Sequence, residues 1–278
     1  MHFGFRGPDD LKTGKEYIMN LMNLGFDWME IDAPYERDVA LEKWLTSLQC
    51  ETGLSLSVHA HFVDVNLSSS HPLVRRNAVE IIKRDIDFAA NCGAQLVVVH
   101  PGDIGWFDFV PGDHPAYAAA QAIIDRFRLE NTNHAINSIA ECGTYARSCG
   151  IRLAFENMYL PWDVLVSPEE IAQAFTGHKL QNVGFVLDLG HSLVAKRKPE
   201  DYVRAMRERI WHTHIHQNDG AYDTHDPLDS SCLQQYGEAL RELVCINPEV
   251  ILLLELPPVE AQYKASLEYL KFLISVCI

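Results

Sequence analysis

Short apolar runs alternate with longer amphipathic ones along the whole chain, and turn residues mark the boundaries between them. The short runs are His2–Arg6, Trp28–Ile31, Ser55–His59, Leu96–His100, Arg152–Phe155, Gly184–Leu187, Ile210–His216 and Val250–Leu254. Several are β-branched or apolar throughout, without polar alternation, as parallel strands buried on both faces must be. Between them the spacing predicts helices. Lys15–Leu24 ends at Gly25 and Val39–Glu51 at Gly53, while His71–Asn91 opens with Pro72 in its first turn and closes at Gly93. Ser167-Pro168-Glu169-Glu170 is a capping signature, with Ser167 placed to accept first-turn N–H groups. Lys198-Pro199-Glu200-Asp201 sets proline and acid at the positive end of another helix dipole, and Val259–Val276 closes the chain.

Eight β-α alternations without a linker-like break predict one closed (β/α)8 TIM barrel of the α/β class, a single domain over residues 1–278. The length suits it, since such barrels commonly need ~250 residues. An open doubly wound sheet is the competing architecture, but no Gly-x-Gly-x-x-Gly follows any strand. Gly105–Gln121, after the fourth strand, departs from the short-loop pattern and carries Trp106, Phe107, Phe109 and Tyr117 with two prolines. It reads as a long loop on the strand-end face, either a lid or a loop packing its own aromatics.

Composition narrows the function classes. With 47% hydrophobic and 22% charged residues the chain is an ordinary soluble globular one. A net charge of -15 argues against a nucleic-acid partner, whose phosphates are gripped by Lys and Arg. The basic clusters Arg75, Arg76, Lys83, Arg84 and Lys196, Arg197, Lys198 read as solvated helix ends. Seven cysteines, an odd number with no Cys-x-x-Cys pair, suit reduced thiols in the cytoplasm. Met1–Asp10 has no apolar signal region, and runs such as Val250–Leu254 fall far short of the ~20 residues that span a bilayer. A cytoplasmic protein without a membrane partner is expected.

In a closed barrel the C-terminal strand ends build the site, so the residues standing there are the ones to read. They are Asp32, then His59 and His61, His100, Glu156, Asp188 with His191, His216 with Asp223 and His225 just beyond, and Glu255. All are Asp, Glu or His, the oxygen and imidazole donors of divalent metals. A lone strand histidine is usually a hydrogen-bonded core residue, and His212 and His214 read that way, although they alternate with His216 and share its face. Carboxylates directly after apolar strands are different, because unpartnered they carry a desolvation penalty. Glu156, Asp188 and Glu255 converge with no obvious Lys or Arg beside them, and a cation between them removes the repulsion.

Seven segments then fall in register: Val58-His59-Ala60-His61, Val99-His100-Pro101-Gly102, Phe155-Glu156-Asn157, Asp188-Leu189-Gly190-His191, His214-Ile215-His216-Gln217-Asn218-Asp219, Asp223-Thr224-His225 and Leu254-Glu255. On these the sequence resembles the xylose isomerase-like barrel superfamily, which includes sugar and sugar-phosphate isomerases and epimerases and endonuclease IV-type enzymes. In the epimerase branch the resemblance implies one Mn or Co ion on Glu156, Asp188, His216 and Glu255. In the endonuclease branch it implies three zinc ions on those four plus His59, His100, His191, Asp223 and His225. This sequence keeps all nine.

Two enzyme readings follow. An isomerase or epimerase would use one divalent ion (Mn, Mg, Co or Zn) as Lewis acid, Glu156 and Glu255 as ligands and acid–base pair, and His61, Trp106 and His191 against the substrate, with Trp106 or Phe107 screening water. A phosphoesterase would use two or three ions ~3.5–4 Å apart. The net charge and the absence of a basic clamp disfavour DNA as its substrate, and Asp226-Pro227-Leu228-Asp229 stands where relatives commonly have a glycine-rich turn. A binding protein that retains ligands by descent is the third reading. The isomerase is preferred, with a sugar or sugar phosphate as partner; no motif encodes which one. Asn218-Asp219-Gly220 is a candidate phosphate turn or a plain structural one. The last helix, with Leu270, Phe272, Leu273, Ile274 and Val276, is a candidate homo-oligomer surface as well as barrel packing.

Overall fold

Side-chain alternation along each strand decides where everything else sits. The computed structural model describes residues 1–8, 10–11, 14–105, 113–176 and 178–275. Its strands are β1 (His2–Arg6), β2 (Trp28–Asp32), β3 (Ser55–His59), β4 (Leu96–Val99), β5 (Arg152–Glu156), β6 (Val183–Asp188), β7 (Ile210–Ile215) and β8 (Ile251–Leu254). They close into an eight-stranded parallel barrel in chain order, β8 pairing back onto β1 through His2 and Ile251. Each predicted strand end falls within a residue of the observed one.

One face of every strand points outward and feeds a large core shared with the helices, including Met29, Ile31, Leu56, Val58, Val97, Val99, Phe155, Leu187, Ile215 and Leu254. The alternate positions form a second, smaller core inside the barrel: Trp28, Leu96, Val98, Ala154, Val186, Ile251 and Leu253. Because the period is two, the next inward position above Val98 is His100, above Ala154 Glu156, above Val186 Asp188 and above Leu253 Glu255. The apolar fill of the barrel therefore ends in a ring of metal-type donors at its C-terminal mouth.

The helices are α1 (Lys15–Leu24), α2 (Val39–Thr52), α3 (Pro72–Cys92), α4 (Tyr117–Ser148), α5 (Pro168–Thr176), α6 (Leu189–Val194), α7 (Pro199–Met206), α8 (Cys232–Gln235), α9 (Gly237–Ile246) and α10 (Glu260–Ser275). The punctuation acts as expected. Gly93 closes α3 at φ 78, the left-handed conformation that glycine adopts without strain. Ser167 Oγ accepts from Glu170 N at 3.2 Å while Glu170 Oε2 accepts from Ser167 N at 3.1 Å, a reciprocal capping box.

The stretch read as a loop to Gln121 is shorter than that. α4 begins at Tyr117, because Ala118, Ala119 and Ala120 are strong helix formers. Trp106, Phe107 and Phe109 lie outside the described residues. In α10, Leu270 and Leu273 are buried against the barrel while Phe272 is half exposed; Val276 lies outside the described residues. Among the described residues no helix is long and apolar enough to cross a membrane.

Candidate metal centre

A cavity of about 330 Å³ opens at the strand C-termini, lined by His59, His100, Glu156, His191, Asp223, His225 and Glu255, with Arg6, Asp32, Phe62 and Tyr159 at its rim. Asp188 and His216 lie just beneath, fully buried. The nine ligand candidates thus meet in one mouth. His61 does not join them. β3 ends at His59, so the two-residue alternation lapses and His61 turns toward α3, its Nδ1 2.9 Å from Asp85 Oδ1. It lines a separate cavity of about 580 Å³ with Tyr35 and Phe88. Asp32, at the rim, pairs with Arg6 at 2.9 Å. Trp106, also expected against substrate, lies outside the described residues.

Each donor is seated by local structure. Asp188 caps α6, its Oδ1 accepting from His191 N at 2.6 Å, which leaves Oδ2 facing His216 Nε2 at 3.3 Å. Asn157 clamps the Asp188 backbone through both of its amide atoms, at 2.8 and 3.0 Å. His191 Nδ1 sits 2.8 Å from Asn157 O and its ring lies 4.3 Å from that of Tyr159. The His216 ring is held between the backbone of Gly190 and the ring of His225, stacked at 4.1 Å. His225 takes φ 52, a strained backbone for a residue other than glycine, while its Nδ1 lies 3.0 Å from Glu255 O. The Asn218 turn closes on itself: Asn218 Oδ1 accepts from Gly220 N and Nδ2 donates to Gly190 O.

The ion-free charges balance through histidine. Burial alone would push the Glu156 carboxyl up, but His214, His100 and His59 hold it well below the usual carboxylate range. Burial would likewise lower His191 and His225, yet Asp188 and Asp223 lift His191 to about 10, and Asp223 and Glu255 lift His225 to about 9. His214, read from sequence as a plain core histidine, sits among the carboxylates, 3.0 Å from Glu156 Oε1 and 3.2 Å from Glu255 Oε2. Arg6 is raised against its own burial by Asp32 and by Glu255. The carboxylates therefore have cationic neighbours that the chain order does not announce.

The donors still suit a metal. Glu156 Oε2, Asp223 Oδ1 and His216 Nδ1 are buried without a hydrogen-bond partner; His100 Nε2 comes within 3.2 Å of that Glu156 oxygen but out of alignment. Among the described residues four donor triads, each with ligand atoms within 4.8 Å of one another, share the mouth: His59, His100, Glu156; Glu156, Asp188, His191; His216, His225, Glu255; and Asp188, His214, Glu255; a fifth, Glu30, His212 and His214, lies beneath it. Oxygen and imidazole donors in this mixture fit Mn, Mg, Co or Zn.

The profile of the family described as xylose isomerase-like TIM barrel matches residues 20–273. The chain belongs to that family. Two uncharacterized proteins of Methanocaldococcus jannaschii are 29% identical over 189 residues and 25% identical over 178 residues, covering 66% and 62% of this chain. The matches span 58% and 59% of those relatives, less than two thirds of their length. Among solved structures, a D-tagatose 3-epimerase-like protein superposes with a TM-score of 0.79 at 24% identity, over 99% of this chain and 98% of that one. D-psicose 3-epimerase from Clostridium cellulolyticum gives 0.75 at 16% identity over 99% of both chains. A Thermus thermophilus protein, from a crystal soaked with zinc chloride, gives 0.66 at 24% identity over 99% and 98%. At these identities the likeness is one of fold.

Within this xylose isomerase-like barrel the loop after β5 forms one wall of the mouth, and Asp163 holds it by accepting from Tyr159 N and Leu160 N. Burial raises Asp163 from 3.8 to about 6, with Asp103 pushing the same way and those N–H groups and His191 opposing. The folded chain thus binds this proton more tightly than the unfolded one. The resulting stability is full below pH ~4 and is lost as pH rises through ~6. Asp163→Asn should remove that slope, gaining on wild type by about 2–3 kcal/mol between pH 4 and pH 7 in denaturant melts. Parallel stability curves for the two proteins would contradict it.

Proposed function

We propose that the chain is a divalent-metal-dependent isomerase or epimerase of a sugar or sugar phosphate. The observation that carries this reading is the meeting of Glu156, from the end of β5, and Glu255, just past β8, at one nitrogen of His214, with the cavity directly above. Glu156, Asp188, His216 and Glu255 would hold the ion, which when bound supplies Lewis acidity to a substrate carbonyl. One glutamate would take the proton from the carbon beside that carbonyl, and the other, having picked up a proton from solvent, would deliver it to the opposite face, exchange with solvent then resetting both. His191 and Tyr159 line the wall against which substrate hydroxyls lie, and Arg6 stands at the rim for an anionic group such as a phosphate. The names of the similar folds, D-tagatose 3-epimerase-like and D-psicose 3-epimerase, support a ketose as substrate.

Incubating the protein with Mn and a panel of ketoses and their phosphates in deuterated water tests this. An epimeric product carrying one solvent deuteron is expected. No exchange with any sugar, together with phosphate release from generic phosphoesters, would overturn it.

A specific observation favours a second reading, phosphoester hydrolysis by a metal cluster: the His59, His100, Glu156 triad is a further donor set beyond the four residues one ion needs. His225→Asn separates the two readings, since Asn tolerates the left-handed backbone that His225 occupies. A one-ion epimerase should still bind one Mn per chain, with turnover reduced by at most ~10–100-fold because His225 backs His216, whereas a cluster enzyme should lose one of its ions. Metal analysis gives a parallel answer, one ion per chain against two or three.

A further inference from the structure

Beneath the mouth lies a polar chain that the catalytic reading leaves unused. Glu30 stands mid-way along β2 and is only 3% exposed. Its Oε2 accepts from Ser57 Oγ at 2.8 Å and faces His212 Nε2 at 2.9 Å, while its Oε1 faces His214 Nε2 at 2.8 Å. Ser57 Oγ in turn accepts from Trp28 Nε1 at 3.0 Å. His212 is anchored on its other side, with Nδ1 3.0 Å from Thr213 O. Both carboxylate oxygens are thereby bonded. Burial pushes the Glu30 carboxyl up, but His214 and His212 pull it well below the usual carboxylate range.

Stability alone does not call for this arrangement. The same inward face carries Val98, Ala154, Val186 and Leu253 on other strands, and a buried ion pair is commonly no more stabilising than apolar residues of its volume. The geometry has a more specific consequence. An imidazole has its nitrogens on opposite edges, so anchoring His214 Nε2 from below aims Nδ1 upward, at Glu156 Oε1 and Glu255 Oε2. The ring is a strut with one foot on Glu30.

We propose that Glu30 is a positioning residue for the metal centre: through His214 it holds one oxygen of Glu156 and one of Glu255 in place for ion binding. This rests on the reading in which Glu156 and Glu255 are ligands. Partners that hold metal ligands from behind act in this way, and their loss typically weakens metal binding or activity by ~10–100-fold.

Calorimetric titration of the full chain with Mn tests it without a substrate. Glu30→Gln and His214→Gln should each weaken Mn binding by ~10–100-fold. The double variant should be no weaker than H214Q alone, because both changes remove the same strut. Leu48→Ala, a change in the outer core on α2 that lowers Tm, should leave the affinity of the folded protein unchanged, which separates positioning from stability. Glu30→Asp keeps the charge and shortens its reach, and carries the same comparison should E30Q fail to fold. Wild-type affinity in a folded Glu30 variant, or losses that add in the double variant, would overturn the inference and leave the proposed function standing. A wild-type protein that binds no divalent ion would overturn both.

Discussion

Glu156→Gln should reduce turnover by about 10³-fold or more while leaving the barrel folded. The loss has two sources. General acid–base catalysis by a positioned carboxylate contributes ~10²–10⁴-fold, and an amide neither takes a proton at neutral pH nor offers a charged ligand to the ion. Mn affinity should fall alongside turnover. The fold should survive because Gln fills the same volume and its carbonyl still accepts from His214, whose other nitrogen keeps Glu30. Turnover on the identified substrate, Mn titration and a thermal melt together check this. Wild-type turnover in a folded E156Q protein would remove Glu156 from the chemistry.

A single methyl group should do comparable damage at Gly190. A Cβ built there would lie 1.9 Å from His216 Cε1 and 2.4 Å from Nε2, far inside any tolerable contact. The ring cannot yield without disturbing its neighbours, because His225 stacks on it at 4.1 Å and Tyr236 Oη donates to His216 O at 2.8 Å. Gly190→Ala must therefore push His216 away from Asp188. Overpacking of this kind costs about 1–3 kcal/mol of stability. The larger effect is expected on the ion: a loss of Mn affinity of at least ~10–100-fold, with turnover following. Calorimetry on the folded variant reads this directly, and unchanged affinity would mean that His216 is not a ligand.

The fold was legible because parallel strands buried on both faces leave uninterrupted apolar runs, and the helix ends carry glycine, proline and capping residues. The mouth was legible for the same reason: a carboxylate or histidine at the end of an apolar strand has few other places to go. Four features escaped. His61 reads in the sequence as standing with His59 at the end of the third strand, against the substrate, but alternation holds only inside a strand, and β3 ends at His59. Arg6 lies far from Glu255 in the chain, and only closure of β1 onto β8 brings the two together. Glu30 and His214 were masked by the ordinary core role of strand histidines, although an acid inside the run Trp28-Met29-Glu30-Ile31 was a signal in its own right: a mid-strand carboxylate needs a buried partner. The contact between β2 and β7 across the barrel that supplies it is a tertiary fact. Tyr159 and Phe62, which wall the cavity, sit on loops whose course no local pattern encodes.

The most direct measurement is a crystal structure of the protein grown with Mn, with anomalous data collected at the Mn edge. A peak bound jointly by Glu156, Asp188, His216 and Glu255 is the predicted result. A mouth without a peak, or an ion that those four residues do not share, would contradict the account.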